Sequence, residues 1–316
     1  MSTSPGHSSA PARLSTLLLL AVTAAWGSSF FLTRELVASI PSADYLAVRF
    51  ALAAAVMLPL LHRHVRALDR RELAAGVGLG LLYGLAQLLQ TVGLEHTSAT
   101  RSGFITGLYV VLTPAFAAAL MRTRVGAATW AGSVMACLGL GVLCLGSVGW
   151  GGGESLTLAC AAVYAAHILG LGAVSRGESA LGLSAVQITV VALVCAVAAA
   201  PGGVRTPSSG AGWAVVAYLA LVCGALAMWA QTWAQAHLPP TRAAIVMTME
   251  PVFAALFAVW LGGEEFTWRV AVGGGLVLAA MYVVELRDAL ALPLRRWRSQ
   301  RAGGPTVEGL HHEAGA

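Results

Sequence analysis

From Leu14 to Glu285 the chain is a succession of apolar runs, each about as long as an α-helix needs to cross the roughly 30 Å hydrocarbon core of a bilayer. The runs are Leu14–Leu36, Asp44–Leu61, Leu73–Leu94, Thr100–Met121, Ala127–Ser147, Ser155–Val174, Leu183–Ala200, Trp213–His237, Thr241–Leu261 and Thr267–Glu285. Composition agrees, because 58% of the 316 residues are hydrophobic and 10% are charged, against about 25% charged in a soluble domain. The expected fold is an all-α integral membrane protein of ten transmembrane helices. Short connections leave no room for a separate soluble domain.

The charge distribution sets an orientation. Net charge is +5, and all 19 basic residues are Arg. They are scattered through the connections and form no stripe of the kind nucleic acid needs, so no nucleic-acid partner is expected. Fourteen (Arg13, Arg63, Arg66, Arg70, Arg71, Arg122, Arg124, Arg176, Arg242, Arg287, Arg295, Arg296, Arg298, Arg301) fall on one side of the ten runs. Four (Arg34, Arg101, Arg205, Arg269) fall on the other, with Arg49 inside a run. The positive-inside rule then places both termini in the cytoplasm and the chain in the cell (inner or plasma) membrane. Seven tryptophans (130, 150, 213, 233, 260, 268, 297) lie near predicted helix ends, where an interfacial belt belongs. Trp229 is ambiguous, and Trp26 lies near the middle of its helix.

Several mechanisms are excluded by what the sequence lacks. Without lysine there is no Walker A loop and no Schiff base, so direct ATP drive, retinal and pyridoxal chemistry are disfavoured. The five cysteines (137, 144, 160, 195, 223) sit in apolar runs without metal-ligand spacing and read as small hydrophobes; no cofactor or metal is expected. Residues 1–13 are polar and expected to be a disordered cytoplasmic N-terminus. Leu17 to Ala25 resembles a signal-peptide core, but cleavage there would break the symmetry described next.

The two halves of the chain repeat. QTVGLEHTSATR (Gln90 to Arg101) and QTWAQAHLPPTR (Gln231 to Arg242) share Gln, Thr, His, Thr and Arg at an offset of 141 residues. TPAFAAAL (from Thr113) aligns with EPVFAALF (from Glu250) at 137, and Thr129-Trp130 with Thr267-Trp268 at 138, which implies a helical turn missing from the ninth helix. Five helices per half is odd, so the second half enters the membrane from the opposite face. The expectation is two inverted five-helix repeats, residues 14–147 and 155–286, with 287–316 a basic, partly disordered cytoplasmic tail on the lipid surface.

These residues resemble the EamA-type members of the drug/metabolite transporter superfamily. The likeness covers Leu14 to Glu285 and is carried by AWGSSF at Ala25, TSATRSGFITGLYVVLTP at Thr97 and PTRAAIVMTMEPVFAALFAVWLGGEEF at Pro240. It implies a ten-helix transporter, and export of amino acids, related metabolites or toxic analogues. It says nothing of which one.

The candidate substrate-binding residues are Trp26, Arg49, Tyr83, Gln87, Gln90, Tyr109, Tyr164, His167, Gln231 and Glu250. Glu250 lies near the centre of the ninth helix, where an ionised carboxylate costs about 2.5–3.5 kcal/mol on insertion scales, so it must be paired, protonated or facing water. Either it titrates protons or binds solute, or it satisfies backbone freed by Pro251. Pro114 and Pro251 each remove one helical hydrogen bond, to Val110 and Met247, and mark expected helix breaks. Trp26, Tyr164 and His167 put aromatic and imidazole groups at matching depths, for stacking or for core packing. Tyr83, Gln87 and Gln90 share one helix face, mirrored by Gln231. Arg49 either snorkels to the outer interface or meets a carboxylate. Arg101 and Arg242 follow the expected N-caps Thr100 and Thr241. Gly76, Gly80 and Gly84, with Gly103 and Gly107, recur every fourth residue and predict close helix packing.

The reading that accounts for the central glutamate and the symmetry is a secondary transporter of small organic solutes working by alternating access. Proton coupling and uniport or exchange both remain open, as do monomer and homodimer. The alternative is an intramembrane enzyme acting on a lipid or small molecule, which lacks paired catalytic residues at mid-depth; an inert sensor ranks third.

Overall fold

The computed structural model describes residues 9–97, 99–143, 151–262, 266–269, 271–280 and 282–283. The N-terminal eight residues, the stretch 144–150 with Cys144 and Trp150, and the tail from 284 onward, with its expected lipid-facing arginines, lie outside them. The described residues are helical throughout the apolar runs, with no strand among them. The helices are α1 (Ser9–Val37), α2 (Ser42–Arg66), α3 (Arg70–Glu95), α4 (Ala99–Gly107), α5 (Tyr109–Leu120), α6 (Ala127–Leu143), α7 (Gly152–Val174) and α8 (Ala180–Ala199). The later elements are α9 (Gly210–Ala220), a π-helical turn (Leu221–Leu226), α10 (Ala227–Gln235), α11 (Pro240–Met247), α12 (Met249–Gly262) and α13 (Ala271–Ala280). Because α4 runs on into α5, α9 through the π turn into α10, and α11 into α12, these make ten rods, one for each apolar run.

Six rods are long and apolar enough to cross a membrane: Pro11–Val37, Ser42–Arg66, Arg70–Glu95, Gly152–Val174, Ala180–Gly202 and Gly210–Gln235. Their outward faces carry bare apolar side chains, among them Leu17, Leu60, Leu193 and Val197, each more than half exposed. Such a belt is costly in water and suited to lipid.

Helix packing follows the small residues. Along α3, a Cβ on Gly76, Gly80 or Gly84 would meet Val186, Val190 or Val194 of α8 at 3.0, 2.7 and 3.2 Å, so the expected glycine stripe is a helix–helix seam. Gly107 likewise faces Leu140 of α6 at 2.9 Å, whereas Gly103 has open space around it and belongs to no seam. The main pairings are α2 on α8, α3 on α7 and α8, and α1 on α12 and α10. Gly27 of α1 sits so close to α12 that a Cβ would lie 2.8 Å from the Ala254 nitrogen.

Ends that the arginine count assigns to one side also meet in space. Ser42 N–H donates to Glu95 Oε1 (3.2 Å), Arg205 N–H to Asp44 Oδ2 (3.1 Å) and Thr97 Oγ1 to Glu154 Oε1 (2.7 Å), drawing the starts of α2 and α7 and the end of α3 together. At α3 a capping box closes the other end, with Glu72 N–H on Asp69 Oδ1 (2.7 Å) and Asp69 N–H on Glu72 Oε2 (3.1 Å).

Three local expectations are corrected. Thr241 is no N-cap, because α11 starts at Pro240, whose missing N–H and fixed φ suit a first helical position. Similarly α4 starts at Ala99, so Thr100 lies inside it. The helix breaks are also displaced from Pro114 and Pro251, which sit inside α5 and α12. They fall at Leu108 and Thr248, where the N–H bonds the carbonyl three residues back, Ile105 (3.2 Å) and Ile245 (3.2 Å), tightening one turn.

Candidate functional site: a polar cavity inside the bundle

Between α1, α2, α3, α4, α5, α7, α10, α11 and α12 lies a cavity enclosing about 670 Å³ of space between atoms, its open mouth included. Of the ten candidate binding residues, nine line it: Trp26, Arg49, Tyr83, Gln87, Gln90, Tyr109, Tyr164, Gln231 and Glu250. His167 does not. It stands behind the wall, its ring 5.2 Å from that of Tyr83, with Nε2 2.9 Å from Gln187 Oε1. Gln187 donates its own amide N–H to the Leu183 carbonyl (3.3 Å), which turns its oxygen toward the imidazole, so Nε2 is the donor and Nδ1 is left bare. A residue on the same helix face as Tyr164 is thereby turned into the core, because Tyr83 fills the space in front of it.

One wall is a hydrogen-bonded chain. Gln87 Nε2 donates to the Tyr164 hydroxyl (2.7 Å), which donates to Gln90 Oε1 (3.3 Å), and Gln90 Nε2 donates to Thr106 Oγ1 (3.2 Å). Three helices, α3, α7 and α4, are tied by it, and its amides are held in fixed orientation.

Arg49 points inward rather than toward the interface and is 5% exposed. Nε donates to the Leu219 carbonyl at the end of α9 (3.1 Å) and Nη1 to the Tyr45 hydroxyl (3.2 Å), while the guanidinium lies 5.0 Å from the Phe50 ring centre. Snorkelling loses here because the bundle supplies acceptors at that depth. Nη2 has no protein partner among the described residues. Trp26 is anchored in the same way, its indole N–H donating to the Cys223 carbonyl (2.9 Å) inside the π turn. A π turn widens the helix and turns carbonyls outward, and here two of the neighbouring carbonyls hold two cavity residues.

Other lining groups lack protein partners among the described residues. Glu250 makes no hydrogen bond to a described residue, and no ion pair joins it to Arg49. Tyr109 Oη and Gln231 Oε1 are buried without partners, although Gln231 Nε2 bonds Gln235 Oε1 (3.1 Å). The carbonyl freed by Pro114, that of Val110, is taken up by Ser133 Oγ of α6 (3.1 Å), so it is not available to a ligand. Leaving a buried polar group unpaired costs about 1–3 kcal/mol, and two such groups beside a carboxyl with no partner among the described residues mark a place where a ligand would restore bonds.

Sequence reading missed Ser29, Phe30, Thr33, Thr91, Leu94, Thr106, Ile168 and Met247, which also line the cavity. A signal for some was present: Ser29, Phe30 and Thr33 follow Trp26 at helical spacing, as Leu94 follows Gln90, so each extends a face already recognised.

Residues 13–145 and 151–286 each match the EamA-like transporter family. The chain belongs to the EamA-like transporter family. This EamA-like protein is 29% identical over 266 residues to an uncharacterised transporter of Archaeoglobus fulgidus, covering 83% of this chain and 82% of that protein. It is 32% identical over 143 residues to a probable terminal-alkyne amino-acid exporter of Streptantibioticus cattleyicolor, covering 44% of this chain and 46% of that one. Its fold matches a crystal structure with a TM-score of 0.72 at 18% identity, over 86% of this chain and 96% of that one. Family membership and the apolar helices together make this EamA-like protein a multi-pass membrane transporter.

Proposed function

We propose that this transporter is a secondary carrier that exports small organic solutes, amino acids or related metabolites and drugs, across the cell membrane by alternating access. The observation that carries this reading is the cavity, enclosed by helices of both halves and lined by polar side chains whose bonding is incomplete. Support for the amino-acid class and for export comes from the relative in Streptantibioticus cattleyicolor, whose name states both.

The moving units in this reading are the two five-helix halves, 14–147 and 155–286, inverted with respect to one another. Two family matches of similar length support that division. So does the packing, in which α3 on α7 in one half-to-half contact answers α10 on α1 in the other, and α1 on α12 answers α7 on α5. Alternating rotation of the halves about a shared cavity would open it first to one side and then to the other. Both termini are cytoplasmic in this scheme, as the fourteen-to-four arginine count favours.

Glu250 is the proton carrier if transport is proton-coupled, as the carboxyl group among the cavity's lining residues. The experiment compares solutes in the medium of cells expressing wild type or Glu250→Gln, across external pH, at matched membrane expression. A solute enriched outside with wild type alone identifies substrate and direction. Unchanged, pH-dependent export by the variant removes proton carriage from Glu250, and no enrichment of any solute removes the export reading.

A further inference from the structure

We propose that the cavity holds a binding site for a primary ammonium group, formed by Glu250 of α12, Gln231 of α10 and Tyr109 of α5. The inference rests on the transport reading only for calling the ligand a substrate, since the site itself is read from unmet hydrogen-bonding capacity. A primary ammonium carries one positive charge and three N–H donors. Two buried acceptors, the Gln231 amide oxygen and the Tyr109 phenol oxygen, have no partner, and the Glu250 carboxyl has none among the described residues; all three can accept, and each belongs to a residue at least nine-tenths buried (8%, 2% and 2% exposed for Glu250, Gln231 and Tyr109).

The amide assignment is constrained from outside. Gln231 Nε2 is engaged by Gln235 Oε1, and Gln235 Nε2 by the Ile168 carbonyl (3.1 Å), so the Gln231 oxygen is the atom left over. A carboxylate ligand there would face the lone pairs of the Gln231 oxygen and the like charge of an ionised Glu250, with only the Tyr109 hydroxyl able to donate to it. Elsewhere in the lining, the Arg49 guanidinium supplies positive charge and leaves Nη2 without a partner among the described residues, and Trp26 presents a ring whose N–H is already spent on Cys223. Between them Phe30, Leu94 and Ile168 give apolar surface. The ligand class this selects is an amphiphilic primary amine with an apolar body, and an α-amino acid if Nη2 of Arg49 takes the carboxylate. Secondary and tertiary amides, which lack the charge, are excluded.

The test uses the purified full chain in lipid nanodiscs and follows its unfolding temperature against ligand concentration. The probes are L-phenylalanine, phenethylamine and N-acetyl-L-phenylalanine, with the matching leucine, isoamylamine and N-acetyl-leucine. Expected are upward shifts with the four amine-bearing compounds and none with the acetylated pair. Glu250→Gln weakens apparent binding of the amines at least tenfold, and Tyr109→Phe, which removes one oxygen and keeps the ring, weakens it severalfold in a protein that still folds. Arg49→Gln weakens phenylalanine and leaves phenethylamine alone if the carboxylate is bound there. The proposal is overturned if acetylated and free compounds bind alike, if Tyr109→Phe and Glu250→Gln bind amines as wild type does, or if no amine stabilises the protein. Counterflow of the labelled probe in proteoliposomes separates the two ideas. Binding without counterflow removes the transport reading and keeps the site, whereas counterflow of acetylated compounds at the amine rate keeps transport and removes the site.

Discussion

Tyr109 and Glu250 face the same cavity from helices that tighten just before each of them, at Leu108 and Thr248. They stand 141 residues apart, the separation that also relates Gln90 to Gln231. The motif alignment had set Glu250 against Thr113, at 137, because the prolines match there. Thr113 is buried and does not line the cavity, whereas Tyr109 does. The cavity thus receives a phenol from α5 and a carboxyl from α12.

That asymmetry predicts unequal effects of matched substitutions. Glu250→Gln should abolish export or raise its KM at least tenfold while the protein still reaches the membrane, and Tyr109→Phe should raise KM severalfold with little change in maximal rate. Initial rates against substrate concentration in proteoliposomes check both. Equal effects would mean that charge at this position does no more than a hydroxyl.

His167 gives the converse expectation. It is buried behind Tyr83 and bonded to Gln187, away from the cavity. His167→Gln should leave the pH profile of transport unmoved and lower stability by about 1–2 kcal/mol through the disturbed Gln187 bond. A shifted pH profile would place the imidazole on the proton path.

Packing at Gly27 is tight against backbone, not against a side chain that can swing away. A Cβ there would lie 2.7 Å from Phe253 Cβ and 2.8 Å from the Ala254 nitrogen. Gly27→Ala should therefore push α1 from α12 at a cost of about 1–3 kcal/mol, which exceeds the roughly 1 kcal/mol that alanine gains in a helix. Gly78→Ala, with no atom within 4 Å of the added methyl, should be neutral or stabilising. Thermal unfolding of the two variants side by side decides it.

Trp26→Phe keeps the aromatic face and removes the donor to the Cys223 carbonyl. Expected is a loss of about 1–3 kcal/mol and faster amide exchange in Leu221–Leu226, where the Trp26 bond ties the turn to α1. Unchanged exchange there would show that the π turn is held by its helix alone.

Hydropathy and charge are properties each residue contributes independently of its neighbours in space, so the number of helices and nine of the seventeen residues that line the cavity were legible in the sequence. Gln87, Gln90 and Glu250 announced themselves because a polar group in an apolar run must face something other than lipid. The inward turn of Arg49, the place of His167 behind the wall and the fate of the carbonyl freed by Pro114 were not legible, because each depended on a partner from a distant part of the chain. Acceptors on α9 and Tyr45 turned Arg49 inward, Tyr83 and Gln187 took His167 out of the cavity, and Ser133 satisfied the carbonyl freed by Pro114. The sequence alone determined which residues had to avoid lipid. Tertiary structure decided which of them were satisfied by protein and which were left for a ligand, because a hydrogen bond requires two groups to meet and their meeting is set by packing across the bundle.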